Sequence, residues 1–184
     1  LELLRNQKLI YKDWGFEEID PVMRATLNFY GPPGTGKTMA AHAIAHELGY
    51  KIIVADFAAI ESKYVGESPK NLSNLFAVAR QENALLFFDE ADSFLGKRIS
   101  SVTTSSDQAT NSLRSHLLQL LENHSGIVIF CTNLVKNYDK AFESRILRSL
   151  HFPLPDEEAR MQIIEKMIPS KVPFPENIRP TTEE

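Results

Sequence analysis

A chain of 184 residues is long enough for one compact domain with a real core. Its composition, 43% hydrophobic and 24% charged with a formal net charge of −4, is that of an ordinary soluble globular protein and gives no global pointer to nucleic acid or an anionic membrane. No apolar run approaches the ~20 residues that cross a bilayer, and the single Cys131 permits no internal disulfide, which suits a reducing, cytoplasmic compartment.

The chain begins without an initiator Met or a signal-peptide layout, and reads as a fragment of a longer protein. Residues 1–11 predict a short amphipathic helix with Leu1 and Leu4 on one side. Residues 12–21 are mixed, centred on Trp14-Gly15-Phe16. The run Ala25-Thr26-Leu27-Asn28-Phe29-Tyr30 predicts a buried strand. Residues 39–48 predict a helix, closed by Gly49. A second strand is expected over residues 51–57. A helix follows over residues 69–80, with Ser68 as N-cap, Pro69 at its first position and Leu72, Leu75, Phe76 and Ala79 at helical spacing. Ala84-Leu85-Leu86-Phe87-Phe88 is apolar on both faces, as a central parallel strand must be.

Residues 100–106, rich in Ser and Thr, predict an exposed loop. A helix over 108–123 puts Leu113, Leu117, Leu120 and Leu121 inward. Strands are expected over 127–130 and 150–154. A last helix should run from about Pro155 to Met167, with Met161, Ile164 and Ile168 on one face, before a proline-rich tail. Strands alternating with helices predict a three-layer α/β fold on a parallel sheet, with ligand at the carboxyl ends of the strands.

Between the first strand and its helix stands Gly31-Pro32-Pro33-Gly34-Thr35-Gly36-Lys37-Thr38, which fits the phosphate-loop pattern G-x-x-x-x-G-K-[ST]. Backbone N–H groups at a helix start replace the water that competes for a polyphosphate. Gly34 and Gly36 let the chain curl close without a Cβ in the way. Gly31, Pro32, Pro33, Gly34, Thr35, Gly36, Lys37, Thr38 and Met39 are the candidate nucleotide-binding residues. Lys37 supplies a point charge for the β- and γ-phosphates, and the Thr38 hydroxyl is placed for Mg²⁺. A glycine-rich turn without a ligand is the bland alternative.

Asp89 and Glu90 end the third strand. Adjacent carboxylates on a strand point apart and can take different jobs. Asp89 suits the metal shell through water, and Glu90 a general base that polarises attacking water. Acids at a strand end also occur for solvation alone. His42 and His46 lie four apart, but no third metal ligand accompanies them.

The motifs GPPGTGKT, LLFFDEAD, IFCTN and ESRILR occur in that order, and the chain from about residue 25 to about 167 resembles the AAA family of ATPases. The resemblance implies a P-loop NTPase fold with a central five-stranded parallel sheet in the order 5-1-4-3-2. Residues 1–155 would form the large ATPase subdomain, and 156–184 the start of a helical lid and a tail. ATP and Mg²⁺ are the implied ligands. Asn133 matches the sensor residue that positions the lytic water. Arg145 and Arg148 match the paired arginines that reach the γ-phosphate of a neighbouring subunit, although Glu143-Ser144 stands where Pro-Gly is usual. Solvated arginines on a turn are the alternative.

Lys63-Tyr64-Val65-Gly66 resembles the first pore loop, whose aromatic grips an extended chain. Otherwise Tyr64 and Val65 cap the core. Residues 99–106 sit where a second pore loop would be. Trp14 and Phe16 either line the adenine pocket or plug the underside of the sheet. The expected protein is thus a hexameric homo-oligomer acting on a polypeptide client by Mg²⁺-dependent ATP hydrolysis. A nucleotide-gated scaffold with little turnover and a P-loop small-molecule kinase are the rival expectations.

Overall fold

The computed structural model describes residues 2–6, 9–20, 22–55, 60, 67–96, 105–133 and 139–169. The chain divides into two compact units, Leu1–Phe152 and Pro153–Glu184.

The first unit is built on five parallel strands: β1 (Ala25–Tyr30), β2 (Lys51–Ala55), β3 (Ala84–Phe88), β4 (Ile127–Thr132) and β5 (Arg148–His151). Their order is β2-β3-β4-β1-β5, the predicted order counted from the other edge. Among the described residues, the α-helices of this unit include α1 (Glu2–Arg5), α2 (Lys37–Glu47), α3 (Glu67–Gln81), α4 (Asp92–Leu95), α5 (Ser105–Asn123) and α6 (Lys140–Glu143).

Alternation along the central strands divides the core into two layers. Leu86 and Phe88 of β3, with Val128 and Phe130 of β4, pack against Leu72, Phe76 and Ala79 of α3 and Leu113, Leu117 and Leu121 of α5. The intervening Leu85, Phe87, Ile127, Ile129 and Cys131 join Leu27 and Phe29 of β1 on the opposite face, under Leu4, Ala41 and Ala45. Both faces of the central strands are covered, which is why they read as unbroken apolar runs. Alanines at successive turns let α2 lie close on the sheet that carries its own phosphate loop.

Several element bounds differ from expectation. Ser68 and Pro69 lie inside the first turn of α3, which starts at Glu67, so Ser68 is not its N-cap. Proline is tolerated there because a first-turn N–H has no helical acceptor to lose. Ser105 and Ser106 belong to α5 rather than to a loop. The last strand begins at Arg148, not Leu150, because Leu147 N donates to Thr26 O at 2.8 Å and starts the pairing with β1. Trp14 and Phe16 are 64% and 50% exposed, so neither plugs the sheet. Residues 9–13 form a π-type turn, and the N-terminal helix is only Glu2–Arg5.

In the second unit α7 (Glu157–Met167) is N-capped by Asp156, whose carboxylate accepts from Ala159 N at 2.8 Å. None of its residues is buried.

Candidate active site

The carboxyl ends of β1, β3 and β4 bring the sequence-predicted residues together. Gly31 follows β1 at φ 146°, and a Cβ there would overlap the Phe152 carbonyl oxygen, so only glycine fits. The loop turns into α2 through Gly36, at φ 89°. Gly36 brings no side chain to cap the helix, and the first-turn N–H groups of Lys37, Thr38 and Met39 are those an anion can take.

Lys37 is buried, and its ammonium donates three hydrogen bonds: to Gly31 O at 2.8 Å, to Pro32 O at 2.8 Å and to Asn133 Oδ1 at 3.0 Å. Its charge is thereby held inside the loop. Thr35 Oγ1 donates to Pro32 O at 2.9 Å and braces the same curve. Pro33 and Gly34 lie exposed at its tip. Met39 is 74% exposed, and its Cε lies near Gly36.

Thr38 Oγ1 donates to Asp89 Oδ2 at 3.3 Å, joining the phosphate loop to the end of β3. The pair offers two hard oxygen donors side by side, the set that Mg²⁺ prefers. The chain then turns sharply. Glu90 adopts φ 49°, a left-handed conformation unusual for a side-chain-bearing residue, and its N–H donates to Asp89 Oδ1 at 3.0 Å. The turn separates the two acids: Asp89 faces the loop, and Glu90 is exposed.

The turn is tied to β4. Ala91 N donates to Cys131 O at 2.8 Å, and Asp92 Oδ1 accepts from Thr132 Oγ1 and from Asn133 N, the latter at 3.3 Å. On its other side Thr132 O accepts from Gly31 N at 3.3 Å. The end of β4 is therefore wedged between the phosphate loop and the acidic turn. Beneath it, burial and the nearby Asp89 carboxylate push the Cys131 thiol up to about 12 and leave it an inert packing group.

Arg145 follows α6. Its Nη1 donates to Ala141 O at 2.6 Å and to Ser144 Oγ at 3.2 Å, and its Nη2 pairs with Glu122 near the end of α5. Ser144 thus helps hold the arginine against its own chain. Arg148 opens β5 and is exposed. Lys63, Tyr64, Val65 and Gly66 lie outside the described residues.

Sequence reasoning assigned no role to Asp92, Thr132 or Glu122. A hydroxyl at the end of a buried strand signals a need for a partner, and Thr132 is 1% exposed. Nothing local marked Glu122 as the arginine's partner. Elsewhere, His42 and His46 are exposed, and no cluster of three metal-ligating side chains occurs among the described residues. His116 instead pairs with Ser73 Oγ at 2.7 Å. No described helix is long and apolar enough to cross a membrane.

A loop of glycines, a lysine and a threonine facing an acid pair across parallel strands defines the P-loop class of nucleotide-binding proteins. The family model described as "ATPase family associated with various cellular activities (AAA)" matches residues 27–154, and the chain belongs to that family. It is 39% identical over 142 residues to fidgetin-like protein 1 of Drosophila melanogaster, covering 76% of this chain and 27% of that protein. It is 36% identical over 149 residues to spastin of Ixodes scapularis, covering 77% and 22%. A 26S proteasome regulatory subunit 8 homolog of Encephalitozoon cuniculi is 35% identical over 156 residues, 82% of this chain and 40% of that protein. The chain spans less than half the length of each of these relatives.

Proposed function

We propose that the chain is the ATP-hydrolysing domain of a ring-forming AAA motor that threads or remodels a polypeptide client. The observation that carries this is the convergence of Thr38 on Asp89 at 3.3 Å and of Lys37 on Asn133 at 3.0 Å, at the carboxyl end of one parallel sheet. Fidgetin-like, spastin and proteasome regulatory proteins among the relatives support a motor that works on proteins.

In this scheme the first-turn amides of α2 and the Lys37 ammonium hold the nucleotide phosphates. Thr38, and Asp89 through water, would hold Mg²⁺, which neutralises phosphate charge when bound. Glu90 accepts a proton from the attacking water, and its exposed, turned-out carboxylate is free to meet that water. Asn133 orients the water from the facing strand. Arg145 and Arg148 act on the site of the neighbouring subunit, so the working form is a homo-oligomer, a hexamer by family analogy. Tyr64 and Val65, flanked by Lys63 and Gly66, would grip the client in the central pore. A cytoplasmic setting suits the single buried thiol.

Glu90→Gln tests the scheme. It should keep ATP affinity and lose turnover by about a hundredfold or more. Normal turnover would remove Glu90 from the base role. ATP binding by the wild-type chain without phosphate release would identify a nucleotide-gated scaffold instead, and a phosphorylated small-molecule product would identify a kinase.

A further inference from the structure

Asp92 is the first residue of α4, a position where a carboxylate ordinarily serves the N–H groups of its own helix. Here its Oδ1 instead reaches across to β4 and accepts from both the Thr132 hydroxyl and the Asn133 N–H. Thr132 is 1% exposed, and its other face accepts from Gly31 of the phosphate loop. Asn133, next in the chain, holds the Lys37 ammonium. Two residues before Asp92 stands Glu90, on a left-handed turn that only its surroundings keep in place.

We propose that Asp92 is a positioning residue for ATP hydrolysis: by holding Thr132 and Asn133 to the acidic turn, it fixes the distance between the Asn133 amide and the Glu90 carboxylate. The inference rests on the roles proposed above for those two residues. Water attack needs the orienting amide and the base on opposite sides of one small molecule. The two groups come from neighbouring strands whose mutual pairing stops at Phe88 opposite Phe130, so beyond that point their separation depends on whatever else joins the two strand ends. Ala91 N to Cys131 O bridges the backbones one residue earlier, and the Asp92 carboxylate bridges them at the level of the site itself. A misplacement of about 1 Å at such a site can cost on the order of a hundredfold in rate. Nucleotide affinity comes from other groups, the α2 amides and Lys37, which Asp92 does not touch.

The role requires an acceptor oxygen rather than a charge. Asn at position 92 can still accept from Thr132 and Asn133, and Ser at position 132 can still donate. The test measures steady-state phosphate release and equilibrium ATP binding by the full chain carrying Asp92→Ala, Asp92→Asn, Thr132→Val or Thr132→Ser. Asp92→Ala and Thr132→Val should each lower kcat about tenfold or more with KM within about threefold of wild type. Asp92→Asn and Thr132→Ser should keep at least about half of wild-type kcat, and Asp92→Ala/Thr132→Val should be no slower than the worse single variant. Should Asp92→Ala fail to fold, Thr132→Val against Thr132→Ser carries the comparison, because valine keeps the shape and removes the hydroxyl, whereas serine keeps it. Wild-type kcat in a folded Asp92→Ala, an Asp92→Asn as slow as Asp92→Ala, or equal losses in kcat and in ATP affinity would overturn the assignment. Absence of turnover in the wild-type chain would instead overturn the hydrolase scheme on which it rests.

Discussion

Lys37 Nζ lies 3.0 Å from Asn133 Oδ1, although 96 residues separate them in the chain. The bond spans from the phosphate loop after β1 to the end of β4, the two strands that pair in register from Ala25 opposite Ile127 to Tyr30 opposite Thr132. The same backbone ladder that builds the sheet therefore delivers the cation and the amide to one place.

The two partners have different chemistry and should fail differently. Lys37→Met removes the charge and keeps the buried stem, so ATP affinity should fall at least about tenfold. Asn133→Ala should leave affinity within about threefold and lower turnover. Calorimetric titration with ATP, beside phosphate release, separates the two. Equal loss of affinity in both variants would place Asn133 in binding rather than in orienting water.

Arg145 and Arg148 are also separable. Arg145 is held by Ala141, Ser144 and Glu122, and its side chain is 26% exposed, whereas Arg148 is exposed on the short edge strand β5. Arg145→Ala should destabilise the isolated chain by about 1 kcal/mol, from the partly buried hydrogen bonds and the ion pair. Arg148→Ala should leave the urea midpoint unchanged. If both act across a subunit boundary, both variants should lose turnover in the assembled ring and regain part of it on mixing with Glu90→Gln subunits. A stability loss without any loss of turnover would make Arg145 a structural residue.

β3 was legible because its apolar run is continuous, and β1 because it leads straight into the glycine pattern. β1 and β3 occupy the predicted residues, and the glycine pattern between β1 and α2 has a mechanism attached to each position. β5 was misplaced because an edge strand with Arg148, Ser149 and His151 exposed has no buried face to set a period. Its start is determined by one backbone bond from Leu147 to Thr26, and composition carries no trace of that bond. The acids of Asp89-Glu90-Ala91-Asp92 were visible as a group, but their division of labour was not. The left-handed turn at Glu90 is carried by no glycine that would announce it, and the reach of Asp92 to Thr132 and the capture of Arg145 by Glu122 are long-range facts.

His124 makes stability depend on pH. It is buried beside Phe76, edge to face at 5.0 Å, with Gly126 against its ring, and burial with the nearby Arg80 charge lowers its pKa to about 4. The folded state thus favours neutral imidazole, while the unfolded chain takes up a proton near 6.5. More protons bound by the unfolded state means stability rises with pH. This contribution is complete above about 6.5 and falls away towards pH 4, by up to about 3 kcal/mol. Denaturation midpoints across that window should slope downward with acidification, and His124→Phe should flatten the slope. A wild-type profile that His124→Phe leaves unchanged would assign the acid sensitivity to other groups.

Asn28 is the least comfortable residue of the sheet. It sits at 0% exposure in the middle of β1, opposite Phe130 of β4 and Ser149 of β5, and both polar atoms of its amide lack a hydrogen-bond partner among the described residues. An unpaired buried amide costs about 1–3 kcal/mol, and replacing it by an apolar group of similar size recovers much of that. Asn28→Leu should therefore raise the melting temperature by roughly 2–6 °C. Asn28→Ala should gain less, because it leaves a cavity against Phe130. A lower melting temperature for Asn28→Leu would mean that the amide is satisfied in solution, for instance by a bound water. A higher one with reduced ATP turnover would mean that the strand leading into the phosphate loop holds this strain for the sake of the site it carries, since the loop begins only three residues after the amide.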